Sequence, residues 1–125
     1  MSGLAGSDNK VEAFQATQVS TPQANNERGM THLVAFTNSA VDSKELHLQT
    51  SIVELFATQD CWVLLKEEGQ TNQASIPANK VKTYCKFVPG GVCTFVGIPK
   101  KENTRFLFSI IRNTADGTLY IHEGA

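Results

Sequence analysis

The sequence predicts an all-β protein, an antiparallel β-sandwich of jelly-roll or immunoglobulin-like type with about seven strands and an extended N-terminal arm. Short apolar or alternating runs recur between turn signals from Thr31 to His122, and no helical period of useful length appears. Thr, Ser, Asn and Gln together supply 35 of the 125 residues, whereas only 18% are charged. Thr favours strands, and Asn and Ser favour turns. On folding, a chain of this length can bury about two-thirds of the surface that its unfolded form exposes, which is enough for one hydrophobic core.

The composition changes at residue 29. Residues 1–29 are rich in Gly, Ser and Asn and too poor in apolar side chains to offset the entropy of ordering. We therefore predict an arm over residues 1–29 and a β-sandwich domain over residues 30–125. The arm is either a frayed terminus or a segment that orders on assembly. In the second case its sizeable apolar residues would bind a partner: Leu4, Val11, Phe14 and Val19.

The first half of the domain predicts three strands. Residues 31–37 form the first. The second, over residues 45–57, changes its apolar face after Ile52, which indicates a bulge or a bend. Residues 61–66 are almost entirely apolar and predict a central strand. The polar residues 67–73 that follow predict the most exposed loop of the domain.

The second half predicts four more strands. Residues 81–88 and 92–98 would form a hairpin over a Pro-Gly-Gly turn, which places Cys85 opposite Cys93. Residues 105–112 and 118–122 would be joined by an Asp-Gly hairpin turn, with positive φ at the glycine.

The three cysteines have no metal-like spacing, and all lie in strand-like runs. We interpret them as small buried thiols. A Cys85–Cys93 bridge is the alternative, but a protein made in the cytoplasm favours free thiols. Trp62 lies in an apolar strand and is predicted to be a core residue, with ligand stacking as the alternative.

The sequence offers little support for enzyme chemistry, and we predict no catalytic residue, cofactor or metal. His32, His47 and His122 lie far apart and have no motif neighbours. Ser51 and Ser109 lack nucleophile-elbow glycines. A net charge of −1 with scattered Lys and Arg argues against nucleic acid as a partner. The sequence has neither a membrane-length apolar run nor a signal core, so we expect a soluble protein made in the cytoplasm.

Residues 57–123 carry an ordered set of short motifs. They are Ala57-Thr58-Gln59-Asp60-Cys61-Trp62, then Ile76-Pro77-Ala78, then Tyr84 and Phe87 before Pro89-Gly90, and finally Gly-Thr-Leu-Tyr-Ile-His-Glu from Gly117 to Glu123. In order and spacing this set resembles a group of small virion proteins of tailed bacteriophages. Residues 98–103 form an insert that the shortest versions of the pattern lack, which leaves open which virion surface is contacted.

The resemblance implies a non-enzymatic structural protein of the virion, present in many copies as a capsid decoration, cement or head–tail neck (connector) component. Its implied partners are other virion proteins, either the major capsid protein or neck and portal proteins, and further copies of itself as a homo-oligomer. It would be made in the host cytoplasm. The alternative is a module that binds carbohydrate or the host surface, which an exposed Trp62 or Tyr84 would favour. A cleft that gathers His32, His47 and a carboxylate would instead favour an enzyme or a regulatory domain.

Overall fold

A computed structural model describes residues 30–78 and 82–124. These residues contain eight strands and no helix, hence no helix able to cross a membrane. The strands are β1 (Thr31–Phe36), β2 (Val41–Asp42), β3 (Ile52–Ala57), β4 (Cys61–Glu67), β5 (Lys86–Val88), β6 (Cys93–Gly97), β7 (Phe106–Arg112) and β8 (Gly117–Glu123). The predicted arm and its four apolar residues lie outside the described residues, as does Val81.

The strands form two antiparallel four-stranded sheets, an arrangement compatible with a sandwich. Sheet I has the order β1-β8-β3-β6, and sheet II has the order β2-β7-β4-β5. The predicted all-β antiparallel class is therefore confirmed. The strand number is eight rather than about seven, because the two-residue strand β2 is too short to leave a periodic signal.

One hydrophobic core joins the inner faces of both sheets. Phe36, Leu55 and Ile121 supply it from sheet I, and Val63 and Phe108 from sheet II; all are buried. The alternation of buried and exposed positions along β1, β3 and β8 follows the two-residue period of a strand with one face in the core. The register of sheet I is therefore fixed, since a one-residue slip would turn its core side chains outward.

Most consecutive strands belong to different sheets; only the β4–β5 connection stays within one. Two sequence predictions are therefore wrong. β5 pairs with β4 whereas β6 pairs with β3, so the Pro-Gly-Gly segment is no hairpin turn and Cys85 does not face Cys93. Likewise β7 and β8 lie in different sheets. Gly117, the first residue of β8, is not among the described glycines with positive φ, which are Gly69 and Gly91.

The Pro-Gly-Gly segment carries the chain from sheet II to sheet I against the β3–β4 connection. Gly90 N donates to Asp60 Oδ1 at 2.7 Å, and Gly91 N donates to Ala57 O at 2.8 Å. Gly91 has a φ of 84°, which a residue with a side chain rarely adopts. A Cβ on Gly90 would lie 2.9 Å from the Gln59 backbone. The β5–β6 and β3–β4 connections therefore contact each other so closely that only glycine fits at position 90.

The long run 45–57 is a strand only from Ile52. Before it, the chain follows β7, since Ser43 N and Leu46 N each donate to β7 carbonyls at 2.8 Å. A turn closed by Thr50 N and His47 O (3.0 Å) then leads to sheet I. The change of apolar face at Ile52 marks this passage between sheets, not a bulge within a strand.

The polar segment after β4 lies across the outer face of sheet II. Lys66 Nζ, on that face, donates to Asn72 O at 2.9 Å and pairs with Asp42 Oδ2 at 3.0 Å. Ala74 is buried, and its N donates to Ser109 Oγ at 2.9 Å. The side chains of residues 71–73 are exposed as predicted. Their backbone nevertheless shields one end of this face.

Candidate interaction surfaces

The outer face of sheet I presents an exposed apolar row across all four strands. The row consists of Leu33, Tyr120, Phe56 and Cys93, which the strand register places side by side. Leu33 is 63% exposed, and Phe56 and Tyr120 are each 37% exposed with ring centroids 6.2 Å apart. Phe95 extends the apolar surface from the neighbouring row.

The ionisable groups near the apolar row are few. Glu54 and His122 face each other in the next row, and His122 Nδ1 lies 3.1 Å from Thr31 Oγ1. A hydrogen bond to Glu54, slight burial and the charge of Glu54 raise the pKa of the Cys93 thiol. Cys93 is therefore held as a neutral thiol, and the surface stays mostly apolar. Contiguous apolar surface of this kind typically marks a place where another molecule binds.

A second apolar surface lies on the uncovered end of sheet II. Trp62 points outward, so its predicted core position is wrong: it is only half-buried and is absent from the core cluster. Its ring packs on Phe87 at a centroid distance of 5.1 Å, and its Nε1 donates to Asn113 Oδ1 at 3.1 Å. Tyr84 is 96% exposed.

A buried polar cluster surrounds Glu123 at the end of β8. The carboxylate is fully buried and accepts hydrogen bonds from the His32 ring at Oε2 and from the His47 amide at Oε1 (2.9 Å). Thr50 Oγ1 also donates to Oε1, at 2.5 Å. Burial alone would raise the pKa of Glu123. The hydrogen bonds from His32, Thr50 and the His47 amide outweigh it and hold this pKa below its ordinary value.

This cluster is better suited to structure than to catalysis. An ionised carboxylate only accepts hydrogen bonds, so His32 Nε2 must carry a proton. His47 contributes its backbone amide, while its ring Nδ1 accepts a bond from Gln49 N at 3.1 Å. Both oxygens of Glu123 are thus bonded and away from solvent. The structure does bring His32, His47 and a carboxylate together, but the carboxylate is fully buried and both of its oxygens are engaged in hydrogen bonds.

A cavity of about 340 Å³ lies next to this cluster along β1. It is lined by residues 30–34 and Lys44. It is bounded by one edge of sheet I, since β1 pairs only with β8 within the described part of the chain. Within the same part, no group of three or more His, Cys, Asp and Glu side chains is placed to hold a metal ion.

The three cysteines are free, in three different environments. Cys61 is buried as predicted, and burial together with the nearby Asp60 raises its pKa to about 12. Cys85 is half-buried and Cys93 is exposed, so the prediction of three buried thiols is wrong for these two. Cys85 immediately precedes β5 of sheet II, and Cys93 begins β6 of sheet I. This arrangement excludes a disulfide between them.

Sequence reasoning missed the apolar row. Its members stand at the positions of β1, β3, β6 and β8 that an outward face would normally give to polar residues. The sequence does show apolar residues at the outward-facing positions of these strands. Only the pairing register shows that they lie side by side. Comparisons of the chain with protein-family models, with curated proteins and with solved structures gave no match, so they identify no family.

Proposed function

We propose that this protein is a non-enzymatic structural protein of a bacteriophage virion, present in multiple copies and bound to capsid or neck subunits through its sheet surface and N-terminal arm. The observation that carries the proposal is the exposed apolar row on sheet I. A surface of this kind is unfavourable on an isolated subunit and is stabilised when a neighbour covers it.

The strand arrangement supports the proposal at the level of fold. We propose a jelly roll rather than an immunoglobulin-like sandwich, because the eight described strands lie in two sheets of four and all consecutive strands except β4 and β5 alternate between the sheets. Jelly rolls recur in viral capsid and lectin domains. Fold alone does not establish function, whereas the exposed apolar row is a specific feature of this chain.

Repetition would give such a subunit its affinity. Weak contacts become strong when one subunit touches several neighbours at once, because each further contact forms at high effective concentration. An arm of 29 residues before β1 would extend the reach of each copy.

Mass spectrometry of purified phage particles tests the proposal through copy number relative to the major capsid protein. Hundreds of copies would support a decoration or cement role, and about a dozen or fewer would support a neck or tail role. Complete absence from the particle would refute the proposal.

Deleting residues 1–29 is expected to leave the sandwich folded and to impair assembly. The described residues form one continuous hydrophobic core among themselves, so cooperative thermal unfolding by circular dichroism should persist. Incorporation of the truncated protein into particles should fall. An unfolded truncated protein would show that the arm belongs to the core and that the division at residue 29 is wrong.

A carbohydrate-binding or host-surface-binding module is the second candidate. The partly exposed Trp62–Phe87 pair and the exposed Tyr84 favour it, because sugar faces stack on flat aromatic rings. Glycan binding that is lost in Tyr84→Ala or Phe87→Ala, but not in Phe95→Ala on the other sheet, would support this candidate over the first.

A further inference from the structure

Among residues 30–78 and 82–124, no strand pairs with the outer edge of β1, and this edge offers backbone groups for another strand. Glu123 N donates to Met30 O at 3.1 Å, and the register pairs His32 with Ile121. In an antiparallel ladder, the backbone groups of alternate residues point to the same neighbour. The even-numbered residues of β1 therefore point to β8, and Thr31, Leu33 and Ala35 direct their N–H and C=O groups to the edge. Such an edge is a template for pairing with a further strand.

The side chains at this edge also favour an added strand. Leu33 ends the apolar row with 63% of its surface exposed, and Met30, just before β1, is 48% exposed. The cavity lined by residues 30–34 and Lys44 runs along the same stretch. A strand placed here would lengthen the apolar row by one residue and cover Leu33.

The segment before β1 contains one stretch with the pattern of such a strand. Thr17, Val19 and Thr21 are β-branched residues at alternate positions, followed by Pro22. β-Branched side chains favour extended backbone, and proline ends the stretch. If residue 19 lies opposite Leu33, these three side chains share the outward face of sheet I.

The length of the linking chain favours a neighbouring copy as the acceptor. Pairing within one chain would need a turn of nine residues, 22–30, whereas hairpin loops usually have about two to five. The eight residues 22–29 can span up to roughly 26–29 Å when extended. A four-stranded sheet is only about 14 Å wide, so the segment can leave its own sheet.

We propose that residues 17–21 of one copy pair antiparallel with the outer β1 edge of a second copy, with Val19 beside Leu33. Val19 N–H would then donate to Leu33 O, and Leu33 N–H to Val19 O. The proposal rests on the proposed function, since it names the surface through which copies of the chain assemble. It turns the predicted arm into an added strand of the neighbour's sheet I.

A matched pair of proline variants in the full-length protein tests the pairing. Val19→Pro removes an N–H that faces the acceptor strand, and Ser20→Pro removes one that faces away from it. Self-association, measured by analytical ultracentrifugation, should weaken about tenfold or more in Val19→Pro, a loss equal to about 1.4 kcal/mol. Ser20→Pro should stay within about twofold of the parent, because an edge strand tolerates proline on its solvent side. Equal effects of the two variants, or a parent that remains monomeric at millimolar concentration, would overturn the proposal.

Cross-linking identifies which copy accepts the strand. Val19→Cys with Leu33→Cys, in a chain whose Cys85 and Cys93 are replaced by serine, should give disulfide-linked dimers and larger species on a non-reducing gel. Ser20→Cys with Leu33→Cys is the control and should cross-link far less. Cross-linked monomers alone would overturn the assignment to a second copy. Particles that contain many copies despite either negative result would leave the virion proposal standing and refute only the strand pairing.

Discussion

Glu123→Ala is expected to destabilise the domain by about 3–5 kcal/mol, because each buried donor left without its acceptor costs about 1–3 kcal/mol. The substitution leaves the His47 amide and the Thr50 hydroxyl without their acceptor in a region closed to water, and it leaves the His32 ring without its partner. Urea unfolding at pH 7 measures the loss. Glu102→Ala, at an exposed carboxylate, is the control and should stay within about 0.5 kcal/mol of the parent.

The same carboxylate should make stability depend on pH. Its pKa in the folded protein lies below the 4.5 of an unperturbed glutamate, so the unfolded chain binds the proton more readily. The contribution is therefore complete above pH 4.5 and is lost as the pH falls through the folded-state pKa. Unfolding curves of Glu123→Gln should show a shallower loss of stability below pH 4.5 than the parent. Parallel pH profiles for the two proteins would contradict the assigned role of Glu123.

Gly117→Val is expected to cost about 1–3 kcal/mol, as overpacking in a filled core does. A Cβ here would lie 2.8 Å from both Phe36 Cζ and Thr58 Oγ1. Phe36 is fully buried and cannot move without disturbing the core. Thr58 Oγ1 accepts a hydrogen bond from Thr118 N at 2.9 Å, which a shift of Thr58 would break. The expected damage comes from lack of space and not from backbone strain.

Gly97→Val provides the matched control for Gly117→Val. Gly97 ends an edge strand of sheet I, and a Cβ there would meet nothing within 4 Å. Since valine favours strands, Gly97→Val should leave the Tm unchanged or raise it slightly. An equal fall in Tm for both variants would show that local packing at Gly117 is not the cause.

Local pattern predicted most strands but not their partners. The alternation in β1 and the apolar run of β4 located those strands within a residue of their ends. A turn motif such as Pro-Gly-Gly shows that the chain changes direction, but not which sheet it joins next. Both hairpin predictions failed for that reason.

Long-range contacts explain the other errors. The sequence predicts a core position for Trp62 because β4 is apolar on both faces. Residues 71–74 cover one end of its outer face, over Lys66, whereas Trp62 lies at the uncovered end and packs against Phe87 of the neighbouring strand. In the Glu123 cluster, the hydrogen-bonded partners are separated by 73 to 91 positions in the sequence. No local period reports contacts at such separations.

The position of β8 has a consequence for how the protein is made. The last strand of the described chain lies between β1 and β3 in sheet I. On the ribosome, which releases the N-terminal part first, β1 and β3 therefore emerge without the strand that joins them. Sheet I can therefore close only after residue 123 has left the exit tunnel. Until then the inner apolar faces of the earlier strands are open to aggregation or to chaperones.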